Sequence, residues 1–98
     1  MRKTHKQIPM SQEEQRLCIA VVSKITRRME SKAAQVGYNI DNDEHWIVAH
    51  DIITEYDMGK PLSKGSALAI YDLLERVSAR IGYSFWGGFI RYLGRVKV

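Results

Sequence analysis

From Ser11 to Gly37 the chain reads as one uninterrupted helix, and nothing else in the sequence limits the fold as strongly. Ser11 and Glu14 have the spacing of a capping box, Met10 stands where the outer half of a hydrophobic staple belongs, and Gly37 offers a terminating residue that can turn left-handed. Between these signals Leu17, Val21, Ile25, Met29, Ala33 and Val36 recur at helical spacing, which predicts an amphipathic helix over about residues 12–35. At about 1.5 Å per residue it would be about 36 Å long. In a chain of 98 residues such a helix is either the spine on which the rest packs or an element that projects toward a partner.

Two further helices follow. Residues 39–43 form a turn and capping segment, with Asp41, Asp43 and Glu44 placed where a helix N-terminus favours negative charge. The helix predicted over 43–57 has Trp46, Ala49, Ile53 and Tyr56 on one face, widened by Ile52. Gly59, Lys60 and Pro61 break the period. Ser63 can then cap a third helix over about 63–81, closed by Gly82, with Ala67, Ile70, Leu74, Val77 and Ile81 in its apolar stripe and Asp72, Glu75, Arg76, Ala79 and Arg80 toward water. Leu17, Val21, Ile25, Trp46, Ile53, Ile70 and Leu74 are the expected core.

The C-terminal segment resists a single assignment. Phe85, Trp86, Phe89, Ile90 and Leu93 can make a helical stripe, but Gly87 and Gly88 cost about 2 kcal/mol of helix preference, and a short strand competes. The expected architecture is therefore all-α, a small single-domain bundle of three main helices plus a short aromatic and glycine-rich C-terminal helix. Residues 1–9 read as a basic flexible arm and 10–98 as one helical domain.

Charge is segregated along this framework. Residues 1–35 carry eight basic and three acidic groups, residues 36–62 one and six, and residues 63–98 six and two, beneath a net charge of +4. Such a chain can offer a partner two surfaces of opposite sign, or use one to mask the other. The start of the chain lacks the apolar run of a signal peptide, and no stretch approaches the roughly 18 apolar residues of a membrane span, so a cytoplasmic protein without a membrane partner is expected.

The chemistry of catalysis is sparse. Cys18, the single cysteine, sits within an apolar run, too far from the helix start for first-turn help from the dipole, and reads as a buried structural thiol. His45 and His50, with Asp41, Asp43 and Asp51, are the nearest approach to a metal cluster, but an i,i+5 pair lies about 140° apart around a helix and reads as surface polars and caps. The run beginning at Asp41 is not a calcium loop: Trp46 stands where the mid-loop glycine belongs and Ile52 where the bidentate Glu belongs. Gly65 and Ser66 could present backbone donors to an anion at a helix start. No catalytic residue, metal or cofactor is expected.

Binding surfaces are the stronger signal. Lys24, Arg27, Arg28 and Lys32 cluster on one side of the first helix as a basic ridge, and Arg91, Tyr92 and Arg95 form an aromatic-basic end suited to protein or phosphate contact. Asp51, Glu55 and Asp57 make a secondary acidic surface. The expected function is a small non-catalytic protein-binding module, an inhibitor or modulator that docks on a larger protein or complex, including one that handles nucleic acid. The alternative is a nucleic-acid-binding protein that uses the basic face of the first helix. A helix-turn-helix reading of the second and third helices is weaker, because its linker is long and its recognition helix offers Lys64 alone near its start. In compactness, charge and lack of catalytic groups the chain looks like the small accessory proteins of phages and other mobile elements, a likeness of type that names no partner.

Overall fold

A computed structural model of the protein describes residues 9–85. The architecture is all-α, with helix α1 (Gln12–Val36), a single 3₁₀ turn (Ile40–Asn42), helix α2 (Glu44–Asp57) and helix α3 (Lys64–Ile81). The expected arm through residue 8 and the aromatic-glycine segment from Trp86 onward lie outside the described residues. Pro9, assigned to the arm, makes an isolated antiparallel bridge with Ser63, and Met10 is buried beside it.

Local codes set the helix boundaries. The Ser11 N–H donates to Glu14 Oε1 at 2.9 Å and the Glu14 N–H donates to Ser11 Oγ at 3.1 Å, a closed capping box. The hydrogen bond to the Ser11 backbone, followed by lesser effects, holds the Glu14 carboxyl below its usual range. α1 ends at Gly37, whose φ of 74° costs little without a Cβ. There the Tyr38 N–H reaches the Ala33 carbonyl and the Gly37 N–H the Ala34 carbonyl, the paired bonds of a Schellman motif. Asp43 caps α2, and Ser63 caps α3 by accepting the Ser66 N–H at 3.1 Å.

α3 is the helix on which the other two pack, most extensively α2. Asp43 at the start of α2 meets Arg80 at the end of α3, so these two helices run antiparallel as a hairpin. Gln15, near the start of α1, reaches Leu62, just before α3, while Tyr83, just after α3, lies along the second half of α1. α1 and α3 therefore point the same way, and the chain runs up, down and up.

The stripe expected on α3 is the observed one: Ala67, Ile70, Leu74, Val77 and Ile81 are all buried. On α2, Trp46 and Ala49 are buried and Ile53 is half-buried. On α1 the expected stripe is corrected. Leu17 and Val36 are 49% and 51% exposed and Val21 is half-buried, while Cys18, Val22, Ile25, Met29 and Ala33 face the core. Each step of four residues overshoots one full turn by about 40°, so a ladder of i,i+4 steps starting at Leu17 winds from the solvent side into the core only by Ile25. The observed stripe inserts a step of three between Val22 and Ile25, which cancels that drift.

Candidate functional site

The basic ridge of α1 is brought against residues that follow α3. Gly82, with φ of 69°, turns the chain back, and the Tyr83 N–H closes the turn on the Ser78 carbonyl at 3.0 Å. Tyr83 and Phe85 then lie beside α1. A groove of about 400 Å³ is lined by Ala20, Val21, Lys24, Ile25 and Arg28 of α1 and by Tyr83, Ser84 and Phe85. A second, shallower one of about 360 Å³ runs on between Tyr83 and the ridge at Arg27, Arg28, Ser31, Lys32 and Gln35. Arg28 and Tyr83 belong to both, so the two are one continuous surface.

The aromatic wall of this surface is anchored from within. Phe85 packs edge-on to Tyr71 of α3 with ring centroids 6.0 Å apart, and Tyr83 stacks near-parallel to Phe85 at 6.4 Å. Tyr71 is buried and donates its hydroxyl to Glu75 at 3.0 Å, which fixes the platform. Lys24, Arg27 and Arg28 are exposed and Lys32 half-buried, and among the described residues none of the four has a carboxylate within 4.0 Å. The outcome is a cationic rim over an apolar floor, continued toward the start of α1 by exposed Leu17.

The expected acidic surface divides. Asp51 and Glu55 project from the outer face of α2 together with Glu44 and the half-exposed Ile47 and Val48. Asp57 sits about 120° around the helix from Asp51 and instead lines a polar groove of about 690 Å³ with Gln12, Gln15, Arg16, Tyr56 and Lys60. Glu55 accepts from Lys60 Nζ at 3.2 Å in an exposed pair. Arg91, Tyr92 and Arg95 lie outside the described residues.

Two groups of polar residues hold the frame that positions these faces. Asp43 is buried, caps α2 through the His45 and Trp46 N–H groups, and accepts from the Tyr38 hydroxyl and from Arg80 Nη1 at 2.8 and 3.0 Å. Burial pushes its carboxyl up, but the hydrogen bonds from Tyr38, Arg80, Trp46 and His45 together outweigh burial and hold it below the usual carboxylate range. Gln15 donates its amide to the Met10 carbonyl at 2.9 Å and accepts the Leu62 N–H at 2.8 Å, riveting the start of α1 to the linker before α3.

Several weaker candidates change character. Lys64, the cation that a helix-turn-helix docking would present first, is 2% exposed and is not offered to a phosphate. Cys18 is fully buried, and desolvation raises its thiol to about 11. His50 tilts against Trp46 with centroids 4.7 Å apart, and His45 Nδ1 lies 3.9 Å from Asp43 Oδ1. Among the described residues no three His, Cys, Asp or Glu side chains are placed to hold a metal, and no helix is long and apolar enough to cross a membrane.

Tyr83 and Phe85 as the wall of the α1 surface, and Leu17 as its apolar end, are parts of the candidate site that the apolar spacing along α1 does not reveal. A phase count along α1 would have put Leu17 among the cations; the return of the chain after Gly82 carries no comparable local signal. The chain matches no family model, no curated protein and no solved structure.

Proposed function

We propose that this protein is a small non-catalytic binding module that docks through the basic, apolar-floored face of α1 on an acidic surface of a larger protein, acting as an inhibitor or modulator of it. The observation that carries the reading is the pairing of Lys24, Arg27 and Arg28, which have no carboxylate within 4.0 Å among the described residues, with exposed Leu17 and the Tyr83–Phe85 wall. Phosphate contact needs cations; a floor of aliphatic and aromatic side chains adds what protein hot spots use, contact that excludes water. The cations steer encounter and the apolar floor slows departure. No chemical step is assigned to Cys18, His45 or His50.

The test compares the wild-type chain with R27E/R28E/K32E, whose folding is checked by thermal melting. A partner captured from nuclease-treated lysate, then purified, should bind the wild type and bind the variant at least tenfold more weakly, chiefly through slower association. Binding to unrelated duplex DNA that falls by orders of magnitude between about 50 and 200 mM salt, with no protein partner retained after nuclease, would replace this reading with the nucleic-acid one.

A further inference from the structure

Two helix faces carry aliphatic side chains that are exposed or half-buried among charges, and their charges are opposite. On α1, Leu17 and Val21 stand beside Lys24 and Arg28; on α2, Ile47 and Val48, 46% and 47% exposed, stand among Glu44, Asp51 and Glu55. An ordinary solvated helix face has no need of large aliphatics set among its charges; the α2 face exposes two, and the α1 face exposes Leu17 with half-buried Val21 about one turn on. Leu17, Ile47 and Val48 are all exposed on one folded copy, so its two faces do not cover each other. One copy cannot bring its own two faces together.

We infer that the outer face of α2 binds the outer face of α1 on a second copy of this chain. Ile47 and Val48 of one copy cover Leu17 and Val21 of the next, while Asp51 and Glu44 meet Lys24 and Arg28. The contact joins two different surfaces: a pair related by a two-fold axis makes it twice, whereas a head-to-tail pair leaves one face free at each end and extends into a ring or a chain. It is one helix wide, well short of a standard interface, and therefore weak and steeply dependent on salt. It also uses the α1 face assigned above to the larger partner, so self-association and docking compete: the acidic helix of one copy masks the basic helix of another until a better acidic surface arrives.

Sedimentation of the full chain, with circular dichroism to verify folding, tests this with a charge swap. At about 20 mM salt the weight-average mass of the wild type should rise with concentration toward about 1 mM, and the rise should vanish at about 0.5 M salt. K24E/R28E alone and D51K/E55K alone should each remain monomeric, because each then presents like charges on both faces. An equimolar mixture of the two should regain association, since the intact α2 face of the first meets the intact α1 face of the second. A monomeric wild type throughout this range, association of either variant as strong as wild type, or a mixture that stays monomeric overturns the inference. D51K/E55K retains the α1 face, so its capture of a protein partner reports on the proposed function separately.

Discussion

Arg80, in the last turn of α3, places Nη1 within 2.8 and 3.0 Å of the two carboxylate oxygens of Asp43, the residue that caps α2, across 37 positions of sequence. One carboxylate thus serves a helix start, a tyrosine hydroxyl and a guanidinium at once. Asp43→Ala should cost about 1–2 kcal/mol from the lost cap alone, and more because Tyr38 and Arg80 lose their acceptor. Asp43→Asn, which keeps a capping oxygen, should cost less. Urea midpoints at unchanged m-value measure both.

The same carboxylate makes stability depend on acid. Its pKa in the folded chain lies below the unfolded value of about 3.9, so its contribution is complete above that value and is lost as pH falls through the folded value. The stability difference between wild type and Asp43→Asn should be constant from about pH 5 to 8 and shrink below about pH 4. For Tyr38 the hydrogen bond to Asp43 raises the phenol, so its contribution is present below the unfolded value and is lost at alkaline pH as the folded value is passed. Chemical denaturation across pH reads both limbs.

Truncation on α1 should separate the observed stripe from the drifting one. Met29→Ala, at a fully buried site, should cost about 2–5 kcal/mol, whereas Leu17→Ala should cost less than about 1 kcal/mol. Equal losses at the two positions would place Leu17 in the core. The proposed docking face adds that Leu17→Ala weakens partner binding while leaving the melting temperature nearly unchanged.

Cys18 should be nearly inert in the native chain. With its thiol raised to about 11 by burial, about one molecule in a thousand carries the thiolate at pH 8, and none of its surface is exposed. Alkylation should proceed at the rate of unfolding and accelerate sharply at the urea midpoint. Stoichiometric labelling within minutes in native buffer would contradict this.

What the sequence made legible was what is written locally. Ser11 with Glu14, Asp43, Ser63, Gly37 and Gly82 are each recognised by neighbours within a turn, and the three helices begin and end within a residue or so of where these signals stand. The face of α1 was less legible because a row of four-residue steps resembles a stripe while slowly rotating off it. Cys18 and Val22, flanked by other apolar residues, gave the pattern no contrast. Asp43 with Arg80, and Gln15 with Leu62, were opaque for another reason. Each residue has a sufficient local explanation, as cap, last-turn cation or surface polar, and their partners lie 37 and 47 positions away. At the candidate site the ridge of cations was plain, while its aromatic wall depended on where the chain travels after Gly82.

The Gln15 amide, next to the Pro9–Ser63 bridge, closes a loop of 47 residues by accepting the Leu62 N–H. Joining chain segments that far apart carries a closure entropy that short-range contacts avoid, so this joint should set after the α2–α3 hairpin has formed and be among the first to open. The Leu62 amide hydrogen therefore works as a built-in reporter. Its rate of exchange with solvent gauges how much of the time the first helix is seated on the other two, which a global melting curve averages away.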